Sequence, residues 1–173
     1  MNPTYITLFS CAGVGCYGFK MNGFDCIASN ELLEPRIEIQ RVNHKCKYES
    51  GYICGDATLS ETHQRIYDEI NMWHEKEKLE QVDVVFATPP CQGMSTANYK
   101  KNDHEQIRNS LVVQAIKLIK AIHPKVFVFE NVRAFMKSIC TDVSGEDMVI
   151  KDSIYKNLSE EYNIYWKVIN FKD

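Results

Sequence analysis

The sequence predicts an α/β fold built on a doubly wound, mainly parallel sheet, and three observations carry that prediction. Short β-rich runs at residues 5–9, 25–29, 52–54, 82–87 and 125–129 alternate with stretches of helical periodicity. A turn of small residues and glycine follows the first run directly, as where a backbone must approach a ligand before a helix opens. Chemistry-bearing residues (Glu31, Asp56, Cys91 and Glu130) stand at the carboxyl ends of the runs, the edge where open α/β sheets bind ligands.

The 173 residues suit one domain spanning 1–173, and 45% hydrophobic with 25% charged content is ordinary for a globular protein. No apolar run reaches the length of a bilayer, and the amino terminus lacks a signal-peptide layout. Seven cysteines without CxxC spacing argue for reduced thiols in a cytoplasmic or nuclear compartment, and the five histidines show no metal-ligand spacing. The net charge of −3 gives no overall field for nucleic acid. Residues 61–80 hold six acids against three bases and so carry all of it, as a solvated helix face does.

Tyr5-Ile6-Thr7-Leu8-Phe9 forms the first strand, and Ser10-Cys11-Ala12-Gly13-Val14-Gly15 the turn after it, although GxGxxG is absent. Asn22-Gly23 closes the short helix that follows. The second strand runs into Asn30-Glu31, about twenty positions beyond the glycines, where cofactor domains place a carboxylate for ribose hydroxyls. Glu31 equally suits the start of the helix at 36–43, behind Pro35, by complementing its dipole. Gly55-Asp56-Ala57 ends the third strand, and Asp56 can accept from an exocyclic amine or make an Asx turn. Ser60 or Thr62 is positioned to cap a helix bearing Ile66, Ile70 and Trp73 on one face.

The fourth strand ends abruptly at Thr88-Pro89-Pro90-Cys91-Gln92-Gly93, because neither proline donates to a ladder and both fix φ. A stiff turn at that edge presents Cys91 as a nucleophile, or Cys91 is a small buried hydrophobe like most free cysteines. Residues 97–109 read as a polar loop whose Lys100, Lys101, His104 and Arg108 suit phosphate. A helix bearing Ile107, Leu111, Ala115, Leu118, Ile119 and Ile122 at three- and four-residue spacings follows, then a fifth strand, apolar throughout and therefore central. Glu130-Asn131-Val132 stands at its end. Further on, 141–152 reads as a loop, 152–162 as a helix and 165–170 as a strand.

In this order and spacing the motifs resemble those of the cytosine-5 DNA methyltransferases over nearly the whole chain. Phe9-Ser10-Cys11-Ala12-Gly13 is similar to their Phe-x-Gly-x-Gly turn, Pro90-Cys91-Gln92 to the nucleophile motif, and Glu130-Asn131-Val132 to the Glu-Asn-Val motif. Arg108-Asn109-Ser110-Leu111 resembles the Arg-x-x-Leu between them. The resemblance implies a Rossmann-like sheet of the S-adenosylmethionine-dependent methyltransferase type, incomplete at the carboxyl terminus. It implies S-adenosylmethionine held by Phe9, Ser10, Ala12, Gly13, Glu31, Leu32, Asp56, Ala57, Pro89 and Leu111. Cys91 and Glu130 would be catalytic, and Pro90, Gln92, Arg108, Asn131 and Val132 would meet a cytosine flipped out of double-stranded DNA.

Two departures bear on the cofactor turn. Cys11 and Val14 stand where glycine is usual, at a cost if the backbone there needs φ > 0. Leu32 replaces the aromatic that often covers the adenine. The resemblance further implies a target-recognition domain and closing motifs that are not found before Asp173, and hence a complementing carboxyl-terminal part. The setting it suggests is restriction–modification in a prokaryotic or phage-like cytoplasm, on the nucleoid when bound to DNA. A tRNA cytosine-5 methyltransferase fragment and a non-catalytic cofactor-binding or assembly module are the alternatives.

Overall fold

The computed structural model describes residues 2–90 and 111–170. Its sheet has five parallel strands, β1 Thr4–Leu8, β2 Asp25–Glu31, β3 Tyr52–Cys54, β4 Val84–Ala87 and β5 Val126–Phe129, in the order β3-β2-β1-β4-β5. The chain winds outward from β1 to β3, then crosses back to β4 on the other side of β1. The crevice between the carboxyl ends of β1 and β4 is therefore the switch point of the sheet.

Among the described residues five helices cover its two faces: α1 Tyr17–Met21, α2 Glu34–Val42, α3 Ser60–Glu77, α4 Leu111–Ile122 and α5 Ile150–Leu158. On one face Ile6, Leu8, Ile53 and Val85 pack with Trp73 and Ile66 of α3, Ile116 and Ile119 of α4, and Ile154 of α5. On the other, Tyr5, Cys26, Tyr52 and Phe86 pack with Ile37 of α2 and the ring of Phe19. Alternate strand residues thus feed two cores, as a sheet wound on both sides requires. At the amino ends of the strands, Asp83 accepts from Thr4 N–H at 2.7 Å and pairs with Lys125 at 2.8 Å, tying β1, β4 and β5 together. Burial opposes that charge, but the Lys125 ammonium and the Thr4 donors hold the carboxyl below its usual range.

Four expectations change. β5 is an edge strand, paired with β4 alone among the described residues, and Val126 and Val128 are 50% and 38% exposed. An apolar run specifies that both faces seek cover; it does not specify a place in the strand order. Residues 141–152 are not a loop: β6 Ile139–Thr141 and β7 Asp147–Val149 form an antiparallel pair, and α5 begins at Ile150. Residues 165–170 have no regular structure, and Tyr165 and Ile169 are 90% and 73% exposed. Alternating side chains favour a strand, yet a strand forms only where a neighbouring edge takes its N–H and C=O groups. Likewise α3 starts without a side-chain cap, its N-cap position being Leu59 rather than Ser60 or Thr62.

The turn between β6 and β7 is anchored by Asp142, whose side chain is almost fully buried. Ser153 Oγ and Asn157 Nδ2 donate to one oxygen, and Ser144 N–H and Oγ to the other, with Lys156 Nζ at 3.4 Å. Burial works against the charge, but these donors hold the carboxyl well below the usual carboxylate range. Asp142→Ala is therefore expected to cost about 2–3 kcal/mol in urea unfolding at neutral pH. A depressed folded value makes this contribution full above about pH 4 and progressively lost below it. The wild-type advantage over Asp142→Ala should accordingly shrink on acidification, and an unchanged gap at pH 3 would contradict the assignment.

No helix of the described residues is long and apolar enough to cross a membrane. Among the described residues no group of three or more His, Cys, Asp or Glu side chains could hold a metal ion.

Candidate active site

The turn after β1 is left-handed at three positions, Phe9 (φ 57°), Cys11 (φ 49°) and Gly13 (φ 87°). Glycine takes that conformation freely, whereas a side chain raises its energy by about 1 kcal/mol or more. The cost anticipated at Cys11 is thus incurred, while Val14 begins a short 3-10 turn and is not among the positive-φ residues. Ser10 shapes the turn from inside. Its N–H and Oγ both donate to Asn30 C=O, at 3.0 and 3.1 Å, and its C=O accepts from Gly13 N–H at 2.9 Å. Asn30 in turn donates to the carbonyls of Ile53 and Gly55, so one side chain registers the ends of β2 and β3.

Glu31 is buried and stands at the start of α2, as the second reading of its position expects. One oxygen accepts from Cys11 N–H at 2.8 Å, and the other from Leu33 N–H and Arg36 Nη1 at 3.1 and 3.2 Å, at the start of α2. A carboxylate has about four acceptor directions, which leaves capacity for hydroxyl donors. Asp56 does make the Asx turn: its Oδ1 accepts from Thr58 N–H and Oγ1, both at 2.8 Å. Among the described residues no donor reaches its Oδ2. Leu32 stands 59% exposed between these two acidic positions in the chain, while Ala57 is buried beneath them. An open apolar side chain with flanking carboxylate acceptors matches the donor pattern of an adenosine, which has hydroxyls, an amine and an aromatic face.

The ends of β4 and β5 are laced to this turn. Thr88 N–H donates to Leu8 C=O at 3.2 Å and Thr88 Oγ1 to Phe9 C=O at 2.9 Å. Glu130 N–H donates to Ala87 C=O at 3.1 Å, and Asn131 Nδ2 to Pro89 C=O at 2.8 Å, across forty-two positions. Pro89 is buried and Pro90 half-buried, so the described chain leaves the sheet pinned from both neighbours. Asn131 thereby acts as a brace, its Oδ1 accepting from Val132 N–H. The side chains of Glu130 and Val132 are exposed, and half-buried Leu111 opens α4. Cys91, Gln92 and Arg108, with the whole polar segment 97–109, lie outside the described residues.

Sequence reasoning missed a cluster behind the turn. Gln40, buried on α2, donates to Ser10 Oγ at 2.9 Å and to Cys11 C=O, and accepts from Ser29 Oγ. Lys45 Nζ donates to Ser29 Oγ at 2.9 Å. One signal was available: Gln40 stands three residues after Ile37, on the buried side of α2, where a polar side chain must have partners.

Compared with known proteins, residues 4–173 match the family model described as C-5 cytosine-specific DNA methylase. The chain is 31% identical over 175 residues to the type II methyltransferase M1.HgaI of Avibacterium volantium, covering 97% of this chain and 45% of that protein. It is 31% identical over 174 residues to the type II methyltransferase M1.HphI of Haemophilus parahaemolyticus, covering all of this chain and 42% of that one. Among solved structures, a candidate DNA modification methyltransferase encoded within an Escherichia coli prophage superposes with a TM-score of 0.64 at 22% identity. That superposition covers 93% of this chain and 39% of the other, and it shows a shared fold. The chain thus spans less than half the length of these relatives.

Proposed function

This chain belongs to the C-5 cytosine-specific DNA methylase family, and from that premise we propose that it is the cofactor-binding and nucleophile-bearing part of an enzyme that methylates carbon 5 of cytosine in DNA. The observation that carries the reading is the Asn131–Pro89 brace at 2.8 Å, together with Thr88 bonded to Phe9. It supports one crevice, at the switch point, shared by the glycine-bearing turn, the Thr88-Pro89 segment that leads to Cys91 and the Glu-Asn-Val segment.

S-adenosylmethionine, the donor the family implies, supplies an electrophilic methyl group on a sulfonium. Glu31 would accept the ribose hydroxyls, Asp56 Oδ2 the adenine amine, and Leu32 with Phe9 would flank the ring. Cytosine carbon 5 is a poor nucleophile until the Cys91 thiolate adds to carbon 6 and feeds electrons through the ring. Glu130 would donate a proton to ring nitrogen 3 as that charge develops. After methylation a base takes the carbon 5 proton, the electrons reform the double bond, and the Cys91 thiolate leaves. The cytosine must stand outside the duplex for any of this, since its reacting atoms are stacked within it.

Calorimetry with S-adenosylmethionine tests the cofactor half directly. Binding is expected, and Asp56→Ala should weaken it about tenfold, the worth of one buried hydrogen bond to a charged acceptor. Tritiated methyl transfer, measured with the carboxyl-terminal part of a relative supplied in trans, tests the rest. Transfer to duplex DNA is expected. Transfer to tRNA instead would reassign the substrate; cofactor binding without transfer to either polymer would favour a non-catalytic cofactor-binding module, and no cofactor binding at all an assembly role.

A further inference from the structure

We propose that Gln40, oriented by Lys45 through Ser29, is a positioning residue that clamps Cys11 in its left-handed conformation and so holds the cofactor turn in its binding shape. The cofactor clause rests on the function proposed above; the clamp itself does not.

Cys11 is held on both sides of its α-carbon. Its N–H donates to Glu31 at 2.8 Å and its C=O accepts from Gln40 Nε2. At φ 49° a cysteine left to itself would return to negative φ, which would break both bonds. Gln40 is 1% exposed and every polar atom of its amide has a partner, since Nε2 reaches Ser10 Oγ and Cys11 C=O while Oε1 takes Ser29 Oγ. A carbonyl only accepts, so the amide must turn its nitrogen to Cys11.

Lys45 fixes that orientation from behind. An ammonium only donates, so Ser29 Oγ must accept from Lys45 Nζ and direct its own proton elsewhere. Ser29 Oγ has two acceptors in reach, Ser10 Oγ at 2.9 Å and Gln40 Oε1. Ser10 also receives Gln40 Nε2, whereas Ser29 is the donor that serves Oε1, so the Ser29 proton satisfies the amide oxygen. Among the described residues Lys45 has no carboxylate at ion-pair distance, so its charge serves this network. The stems of both residues also close the space behind Gly13, where an added Cβ would meet Gln40 Cγ and Lys45 Cδ at 3.3 Å. A turn that glycine would make flexible is in this chain made from cysteine and then locked by a side-chain network, which satisfied polar clusters do well.

A double-mutant cycle between Gln40→Leu and Cys11→Gly separates a clamp from ordinary packing. Amide exchange at residue 11, followed by NMR, should quicken about tenfold in Gln40→Leu, and S-adenosylmethionine should bind about tenfold more weakly. In the Cys11→Gly background, where left-handed φ needs no support, Gln40→Leu should change each quantity less than about threefold. Equal effects in both backgrounds, or no effect in either, would overturn the clamp. If the wild type exchanges as expected and the cycle shows coupling but no cofactor binds, the clamp stands and the cofactor reading falls. Should Gln40→Leu not fold, Lys45→Met on the half-buried side of the network must still quicken exchange at residue 11, and unchanged exchange overturns the proposal.

Discussion

Cys91→Ser, in the chain assembled with its carboxyl-terminal complement, is expected to lower methyl transfer to DNA at least a thousandfold while S-adenosylmethionine affinity changes less than about twofold. A hydroxyl at that position is a far weaker nucleophile than a thiolate, and no general base is assigned beside it. The described chain leading to residue 91 is held by Thr88 on Phe9 and by Asn131 on Pro89, bonds that use none of the atoms changed. Loss of transfer in this variant therefore reports the sulfur rather than a displaced backbone. The same reasoning gives a direct view of the adduct. DNA carrying 5-fluorocytosine cannot release fluorine as a proton is released, so the wild type should remain covalently attached and migrate with DNA under denaturing electrophoresis. Cys91→Ser should give no such band. Transfer by Cys91→Ser within tenfold of the wild type would remove the covalent route.

The sheet, and the collection of the candidate site residues along one edge, were legible because parallel topology does the gathering. Once β1 to β5 are read as parallel strands joined by helices, their carboxyl ends share one side, and Glu31, Asp56 and Glu130 follow without any contact being known. Position within the sheet was not legible for β5. Val126 and Val128 declare that the strand seeks cover, whereas strand order depends on which edge the chain crosses to. The strand expected at 165–170 fails for a related reason, since local alternation cannot supply a partner. At Glu31 the helix-start reading holds, and the same carboxylate also supports the turn after β1, a contact that periodicity did not offer. The Gln40–Cys11 contact, twenty-nine residues apart, lay beyond periodicity, although a buried-side glutamine was a visible oddity.

Glu130→Gln should reduce methyl transfer by about 100-fold to 10,000-fold, in kcat rather than in cofactor affinity, if the side chain delivers a proton to cytosine nitrogen 3. The substitution is a clean one. What fixes residue 130 in the fold is its backbone N–H on Ala87 C=O at 3.1 Å, and the bracing amide belongs to its neighbour Asn131, so glutamine leaves both in place. Glutamine also keeps the length and a hydrogen-bond donor, and lacks only a transferable proton. The Glu130 side chain is exposed in the described residues, open to a cytosine brought beside it. The loss should therefore appear in the rate of the DNA-bound enzyme and not in calorimetry of the chain with S-adenosylmethionine. A Glu130→Gln enzyme that transfers methyl groups within threefold of the wild type would limit residue 130 to its backbone role, as the point where β5 is fastened to the turn before Cys91.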